Sequence, residues 1–348
     1  MAHVAVIPGD GIGPEVISEA VKVLEVAAHK HALSLDLEML DYGATRFLKD
    51  GTTLPGTEIE RFRRDKDAIL LGALGDPRVP DMVHARDILL GLRFGLDLYI
   101  NFRPVRCLAD RFCPLKGKAA EQIDFVVFRE NTEGLYADIG GITRKGTADE
   151  IAINEDVNTR KGVERIIRAA FGYAVGNHKT RVTMVDKSNA VRFAHDLWRR
   201  TFLEVGADYP AIEKEHLYVD ALMVHLIQRP QEFQVIVTNN LFGDIVTDLG
   251  AALQGGLGMA ASANLNPDSV PLFEPVHGSA PALAGKGVAN PIAAILTAGM
   301  MLEHLEMKAA AADVQRAVLR AVAENKLTAD VGGDLSIREV GDFIAGAL

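Results

Sequence analysis

The sequence predicts an α/β protein of two interwoven lobes, layered around a sheet that is largely parallel. Three observations lead there. Short β-branched runs alternate along the chain with stretches of helical length, the pattern of strands and helices packed in layers. At 348 residues and 48% hydrophobic composition, the chain can bury more than one core. No internal repeat and no Ser- or Pro-rich linker divides it, so the two lobes must exchange segments.

Composition narrows the function classes. A net charge of −10 argues against nucleic acid or an anionic membrane as the main partner. Cys107 and Cys113 form neither a disulfide framework nor a metal-ligand spacing, which fits a reducing cytoplasm. The opening MAHVAVIPGDG has no charged segment ahead of a long apolar one, and no run is apolar for long enough to span a bilayer. A soluble, cytoplasmic protein is expected.

In chain order, HVAVIPGDGIGPEV reads as strand, glycine-rich turn and helix, with Pro14 and Glu15 suited to a helix start. Gly9, Gly11 and Gly13 are spaced GxGxG rather than GxGxxG, so a tight βα turn explains them as well as a cofactor loop does. A helix to about Lys30, the alternating strand LSLDLEML, a helix over Glu58 to Arg64 and a buried strand over Ala68 to Ala73 follow.

Arg93 and Arg103 then sit in the apolar stretch Ile88 to Arg106, and Arg129 ends the buried strand Asp124 to Phe128. One arginine is usually a surface residue, but arginines in apolar runs or at strand ends need anionic partners. Together they point to a substrate with more than one carboxylate. ENTEGLY brings Tyr136 to the same loop as a candidate proton donor. The strand in TRVTMVDKSNA ends at Lys187, ordinarily a solvated residue, but a candidate general base among cationic neighbours.

VIVTNNLFGDIVTDLG reads as strand, loop and helix, with Asp244 and Asp248 four apart on one helical face. A favourable helix dipole accounts for Asp244 at a first turn and poorly for Asp248. A hard cation such as Mg²⁺ accounts for both, with Asp220 in LYVDALMVHL a third candidate ligand set among apolar neighbours. FEPVHGSAPALAGKGVANP reads as a long loop that keeps His277 and Asn290, its small residues exposing backbone to a flat base. An ordinary surface loop is the alternative, although loops of this length are usually functional. Ala310 to Glu324 reads as an amphipathic core helix.

These segments resemble the β-decarboxylating dehydrogenases, the family of isocitrate, 3-isopropylmalate, homoisocitrate and tartrate dehydrogenases. The resemblance runs from IPGDGIGPEV through LRFGLDLYINFRP, FRENTEGLY, VDKSNA and NNLFGDIVTDL to FEPVHGSAP and ANP. It implies the two-lobed isocitrate/isopropylmalate dehydrogenase-like fold with a mixed, largely parallel sheet, distinct from the Rossmann fold. Residues 1–100 and 252–348 would form the first lobe, with the nucleotide-binding loop. Residues 101–251 would form the second, with an intersubunit arm within Asp138 to Asn158. A homodimer with shared active sites follows.

By the same resemblance, Arg93, Arg103 and Arg129 match the arginines that hold the malate carboxylates. Asp244 and Asp248, with Asp220 from the partner subunit, match the ligands of Mg²⁺ or Mn²⁺, and Asp220 also faces substrate. Lys187, again from the partner, matches the base, and Tyr136 the acid that protonates the enol. Ile12, His277, Gly278, Ser279, Ala280 and Asn290 match the nucleotide-binding positions. The implied reaction is oxidation of a 2-hydroxy acid followed by loss of CO₂.

Leu89 and Leu90 match the paired leucines that line an isopropyl pocket, where isocitrate enzymes carry Ser and Asn and homoisocitrate enzymes an Arg. Burying a branched alkyl group there is favourable by roughly 1.5–3 kcal/mol, whereas a carboxylate would be left unpaired. That favours isopropylmalate. Arg86 replaces a glutamate common in isopropylmalate enzymes, and RENTEG is shared with isocitrate, homoisocitrate and tartrate enzymes. LGALGDPRVPD resembles both tartrate enzymes and one branch of isopropylmalate enzymes, so tartrate or D-malate oxidation is the runner-up, and homoisocitrate a further one. Ala282 stands where NAD-dependent members usually have Asp and NADP-dependent members Lys, while TADVGGD resembles the NAD-type ending, and NAD is expected. A catalytically silent regulatory subunit is disfavoured, because Lys187, Tyr136, the three aspartates and the three arginines are all kept.

Overall fold

Parallel strands buried on both faces need continuous apolar runs, and the chain supplies them. Val4, Ala5, Val6 and Ile7, and likewise Ala68, Ile69, Leu70 and Leu71, are fully buried. The computed structural model describes residues Met1–Leu348. The chain is an α/β protein with a large mixed sheet, and it divides into two compact units. The first comprises Met1–Leu98, Arg106–Glu121 and Ala251–Leu348, and the second Tyr99–Val105 and Gln122–Gly250. Arg106–Glu121, given to the second lobe by the sequence reading, lies in the first unit. Its hydrogen bonds explain why: Arg106 N donates to Gln254 Oε1 at 2.9 Å, and Arg111 Nη2 to the Val322 carbonyl.

In the first unit the strands run in the order Leu35–Met39, Ala2–Ile7, Ala68–Leu71, Leu272–Pro275, Ala261–Leu265. All neighbours are parallel except the last pair, which is antiparallel. Ala5, Ile7, Ile69 and Leu71 share a core cluster with Ile88 and Leu92 of the Val83–Gly95 helix, and Leu89 packs against it. The Gly13–Lys30 helix packs against the Ile292–His304 and Ile337–Gly346 helices. The last of these opens with a reciprocal Ser336–Glu339 capping box.

In the second unit the order is Ile100–Arg106, Asp124–Glu130, Val235–Thr238, Arg181–Asp186, Glu213–Tyr218. The last four strands are parallel to one another. The Arg160–Gly176 helix, capped by the Thr159 side chain, and the Arg192–Ala207 helix pack together, with Phe171 stacked on Phe202. Gly140–Thr143 and Ile151–Asn154 form a separate antiparallel hairpin. Its Ile142, Ile151 and Ile153 are about half exposed, and a lone hairpin has no core of its own. No helix in the chain is long and apolar enough to cross a membrane.

Candidate active site

In parallel α/β sheets, ligands bind beyond the carboxyl ends of the strands, and strand register decides which side chains meet there. In the second unit Thr238 lies opposite Arg129 on one side and Val185 on the other. The residues after Thr238 therefore start the Asn240–Leu253 helix beside Arg129. Arg129 is 1% exposed, and its Nε and Nη2 both donate to Asn240 Oδ1, at 3.0 and 2.7 Å. Its stem lies directly on the helix backbone: a Cβ on Gly243 would come within 2.4 Å of Arg129 Cγ. Only glycine fits there.

Arg129 Nη1 also donates to Asp244 Oδ1, and Tyr136 Oη donates to Asp244 Oδ2 at 3.2 Å. The Arg129 guanidinium lies 5.4 Å from the Tyr136 ring centre. Arg103, 7% exposed, donates to Thr247 Oγ1 at 2.6 Å and stands 3.8 Å from Asp244 Oδ1. Arg103, Arg129, Tyr136 and Asp244 thus form one cluster. Partial burial and then the charge of Asp244 push the Asp248 carboxyl above its ordinary range, with Arg103 and Arg129 opposing. Two carboxylates that repel one another on one helix face are a donor set suited to a hard cation. The dipole account of Asp244 does not hold, because the helix begins at Asn240 and its first turn carries no acidic residue.

Lys187 and Asp220 meet by the same logic of register. Asp186 lies opposite Tyr218, so both chains leave the sheet side by side. Lys187 Nζ is 2.5 Å from Asp220 Oδ1, a hydrogen bond that holds the Asp220 carboxyl below its ordinary range. The Asp220 side chain is 67% exposed, so its apolar sequence neighbours do not bury it. Asp220 does not join Asp244 and Asp248 within the chain: no three His, Cys, Asp or Glu side chains converge as a metal-holding group.

In the first unit, Arg93 is 6% exposed and its Nη2 donates to Glu274 Oε1 at 2.8 Å, an oxygen that also accepts from Asn264 Nδ2 at 2.8 Å. Leu89 and Leu90 lie on the same helix, both partly buried. Ile12 N donates to the Ser279 carbonyl at 2.8 Å, which ties the glycine-rich turn to the HGSAP segment. Gly11 has φ +60°, and a Cβ there would lie 2.0 Å from that same carbonyl oxygen. Ala280 is held at φ 37°, in the left-handed region.

Phe273 to Pro275 are strand, so the expected long loop begins at Val276. Within it, the His277 Nδ1–H donates to the Gly278 carbonyl at 3.1 Å, which leaves Nε2 as an acceptor. Nε2 is buried and has no partner, and burial pushes the ring's pKa down, so the imidazole stays neutral. A neutral orphan acceptor beside Gly278 and Ser279 suits a heterocyclic ligand. Asn290 accepts from Ile292 N at 3.0 Å and donates to Asp330 Oδ2 at 3.1 Å.

Four supporting residues escape the sequence reading. Asn240 orients Arg129, Thr247 orients Arg103 and Glu274 holds Arg93. Asp10 is buried and accepts from Ala44 N at 2.6 Å, Gly75 N at 2.9 Å and His84 Nε2 at 2.9 Å. It joins the glycine-rich turn to the helix of Leu89, Leu90 and Arg93. An aspartate between two glycines of a turn was the available signal.

The isocitrate/isopropylmalate dehydrogenase family model matches residues 3–344. The chain is 50% identical over 343 residues to 3-isopropylmalate dehydrogenase of Thermobifida fusca, covering 98% of this chain and 96% of that one. It is 46% identical over 350 residues to 3-isopropylmalate dehydrogenase of Streptomyces coelicolor, covering 99% and 97%. Among solved structures, isocitrate dehydrogenase from Methylococcus capsulatus superposes with a TM-score of 0.90 at 36% identity, covering 100% of this chain and 99% of that one. The chain belongs to the isocitrate/isopropylmalate dehydrogenase family of oxidoreductases.

Proposed function

We propose that the chain oxidises (2R,3S)-3-isopropylmalate to 4-methyl-2-oxopentanoate and CO₂ with NAD and Mg²⁺ or Mn²⁺, a step of leucine biosynthesis. The observation that carries the substrate choice is the partly buried pair Leu89 and Leu90, on the helix that holds Arg93. An alkyl side chain against leucine gains from burial, and a third carboxylate there would be left without a partner. The naming of relatives such as the Thermobifida fusca enzyme supports the same reading.

When bound, the cation would supply Lewis-acid polarisation of the C2 oxygen, and the nicotinamide would take the C2 hydride. The chain's own residues do the rest. Arg93, Arg103 and Arg129 hold the carboxylates, the last two fixed by Thr247 and Asn240. Lys187 takes the C2 hydroxyl proton as the hydride leaves. The C3–carboxylate bond then breaks, its electron pair forms the enol, and Tyr136 delivers a proton to C3 as the 2-oxo acid forms. Ile12, His277, Gly278, Ser279, Ala280 and Asn290 would hold the nucleotide. Asp244 and Asp248 would hold the cation.

The separation of the Lys187–Asp220 pair from Asp244 and Asp248 supports a homodimer in which each chain lends that pair to its partner's site. The first unit would then carry nucleotide binding, and the second dimerisation through the Gly140–Asn154 hairpin.

Tartrate or D-malate oxidation draws on the RENTEG motif, but its acidic residues are engaged elsewhere. Glu130 accepts from Thr132 N, Thr132 Oγ1 and Glu133 N, and Glu133 from Thr159 N and Oγ1. The motif builds its own loop and a helix cap, which leaves the leucine pair as the better guide. The test is NAD reduction by purified protein with Mg²⁺ or Mn²⁺ on 3-isopropylmalate, isocitrate, homoisocitrate, D-malate and L-tartrate. Preference for 3-isopropylmalate supports the reading. Preference for D-malate or tartrate overturns it.

A further inference from the structure

The loop that carries Lys187 is held by a buried histidine with no place in the proposed chemistry. His195, 1% exposed, lies on the Arg192–Ala207 helix, and its Nδ1 is 2.7 Å from the backbone nitrogen of Lys187. A backbone N–H only donates, so Nδ1 carries the lone pair and the ring proton sits on Nε2. Nε2 faces Asp156 Oδ2 at 3.6 Å. Asn239 Nδ2 also lies 3.1 Å from Nε2, but it is itself a donor, and Asn239 Oδ1 is committed to Phe242 N at 2.9 Å. The Asp156 carboxylate is therefore the anionic group that faces the ring proton, and its charge favours the proton on Nε2 across 3.6 Å. Consistent with this, the His195 ring is the largest influence holding the Asp156 carboxyl below its ordinary range.

Asp156 belongs to the stem of the exposed hairpin. Just before it, Glu155 N donates to the Ile139 carbonyl at 2.8 Å, and just after it Gly134 N donates to the Val157 carbonyl at 2.7 Å. A second tie runs parallel: Trp198, three residues beyond His195 and so on the same helix face, donates from Nε1 to Asn158 Oδ1 at 2.7 Å. One helix face thus grips the hairpin stem at two points and the Lys187 backbone at a third.

We propose that His195 is a positioning residue for Lys187, held in the Nδ1-acceptor tautomer by Asp156, so that the hairpin stem sets where the base stands. The proposal rests on the reading of Lys187 as the base. It differs from a packing role, because packing needs the ring's volume and positioning needs its acceptor. Phenylalanine keeps the volume without an acceptor. Asparagine has an amide oxygen near the place of Nδ1.

The test measures kcat, KM for the 2-hydroxy acid, the primary deuterium isotope effect at C2 and hydrogen exchange of the Lys187 amide. His195→Phe is expected to lower kcat about tenfold or more with KM within about twofold, because misplacing a base slows the chemical step and not binding. Its isotope effect should rise and its Lys187 amide exchange faster. His195→Asn should restore all of these toward wild type. Asp156→Asn should lower kcat in the wild-type background and have no further effect in His195→Asn. If His195→Phe does not fold, His195→Gln, with its amide near the place of Nε2, takes its role. Equal kinetics and exchange for the Phe (or Gln) and Asn variants would overturn the proposal in favour of packing. Lys187→Met separates the two readings. If it keeps wild-type kcat, the base assignment fails and the positioning proposal with it. If it is inactive while His195→Phe has wild-type kcat, only the positioning proposal fails.

Discussion

Arg129 and Asn240 are joined by two hydrogen bonds to a single carboxamide oxygen, at 3.0 and 2.7 Å, with the guanidinium almost wholly buried. Asn240 Nδ2 in turn donates to the Glu133 carbonyl at 3.1 Å, so the amide cannot turn without losing a partner on each side. Asn240→Leu leaves Nε of a buried cation without that acceptor. Charge-assisted bonds of this kind are worth about 1.5–3 kcal/mol each. The expected outcome is a fall in kcat/KM of about 10–100-fold, seen mainly as a rise in KM, since the arginine is read as a substrate clamp. Steady-state kinetics on the preferred 2-hydroxy acid check it.

Arg93 and Glu274 form a buried ion pair of a different kind, with side chains 7% and 11% exposed. Removing one partner strands the other's charge, at a cost of about 3–5 kcal/mol. Glu274→Ala should therefore lower the urea midpoint sharply. Arg93→Met with Glu274→Met should recover part of the loss. Urea unfolding of the single and the double variant against wild type measures both effects.

Leu90 carries the substrate reading. Leu90→Arg removes an alkyl surface and adds a cation, so activity on 3-isopropylmalate should fall about 10–100-fold, the kinetic equivalent of the burial lost. Activity on homoisocitrate should rise relative to it. Unchanged preference would mean that the substituent at C3 does not meet this helix.

The parts of the site set by spacing along one element were legible before the fold. Asp244 and Asp248 are four apart on one helix, and the structure couples them. Where an element begins was less legible: with the helix starting at Asn240, the dipole account of Asp244 loses its basis. Contacts set by strand register were not legible at all. Lys187 meets Asp220 because Asp186 pairs with Tyr218, a long-range pairing that no local pattern encodes. Asn240, Thr247 and Glu274 escaped for the same reason, since their importance lies in which arginine the fold delivers to them. The assignment of Arg106–Glu121 to the first unit likewise depends on distant partners, Gln254 and Val322.

His277 gives a pH-dependent outcome. Burial lowers its pKa in the folded chain, so below its ordinary value the unfolded chain binds more protons than the folded one. Stability therefore rises with pH across the window from the depressed folded value up to about 6.5, and is flat in this respect above it. His304, also pushed down by burial, contributes in the same window. His277→Asn should flatten part of the fall in melting temperature between pH 7.5 and about 5.5, leaving the share due to His304. Thermal melts across that range measure it.

Asp248 is where stability and activity should part. Its carboxyl is pushed up by partial burial and by the like charge of Asp244, so without a cation the pair strains the helix that carries it. Asp248→Asn removes one of the two charges. In EDTA its melting temperature should rise by about 1–3 °C, the response to a few tenths to one kcal/mol in a chain of this size. With millimolar Mg²⁺ the order should reverse: wild type gains by binding linkage, the variant gains little, and its activity is about 100-fold lower or worse. Asp220→Asn is the control, because Asp220 is exposed and paired with Lys187 rather than with another carboxylate. It should lose activity without any gain in EDTA. A variant at position 248 that melts with wild type in EDTA would show that the two aspartates do not oppose one another, and would remove the physical ground for placing a cation between them.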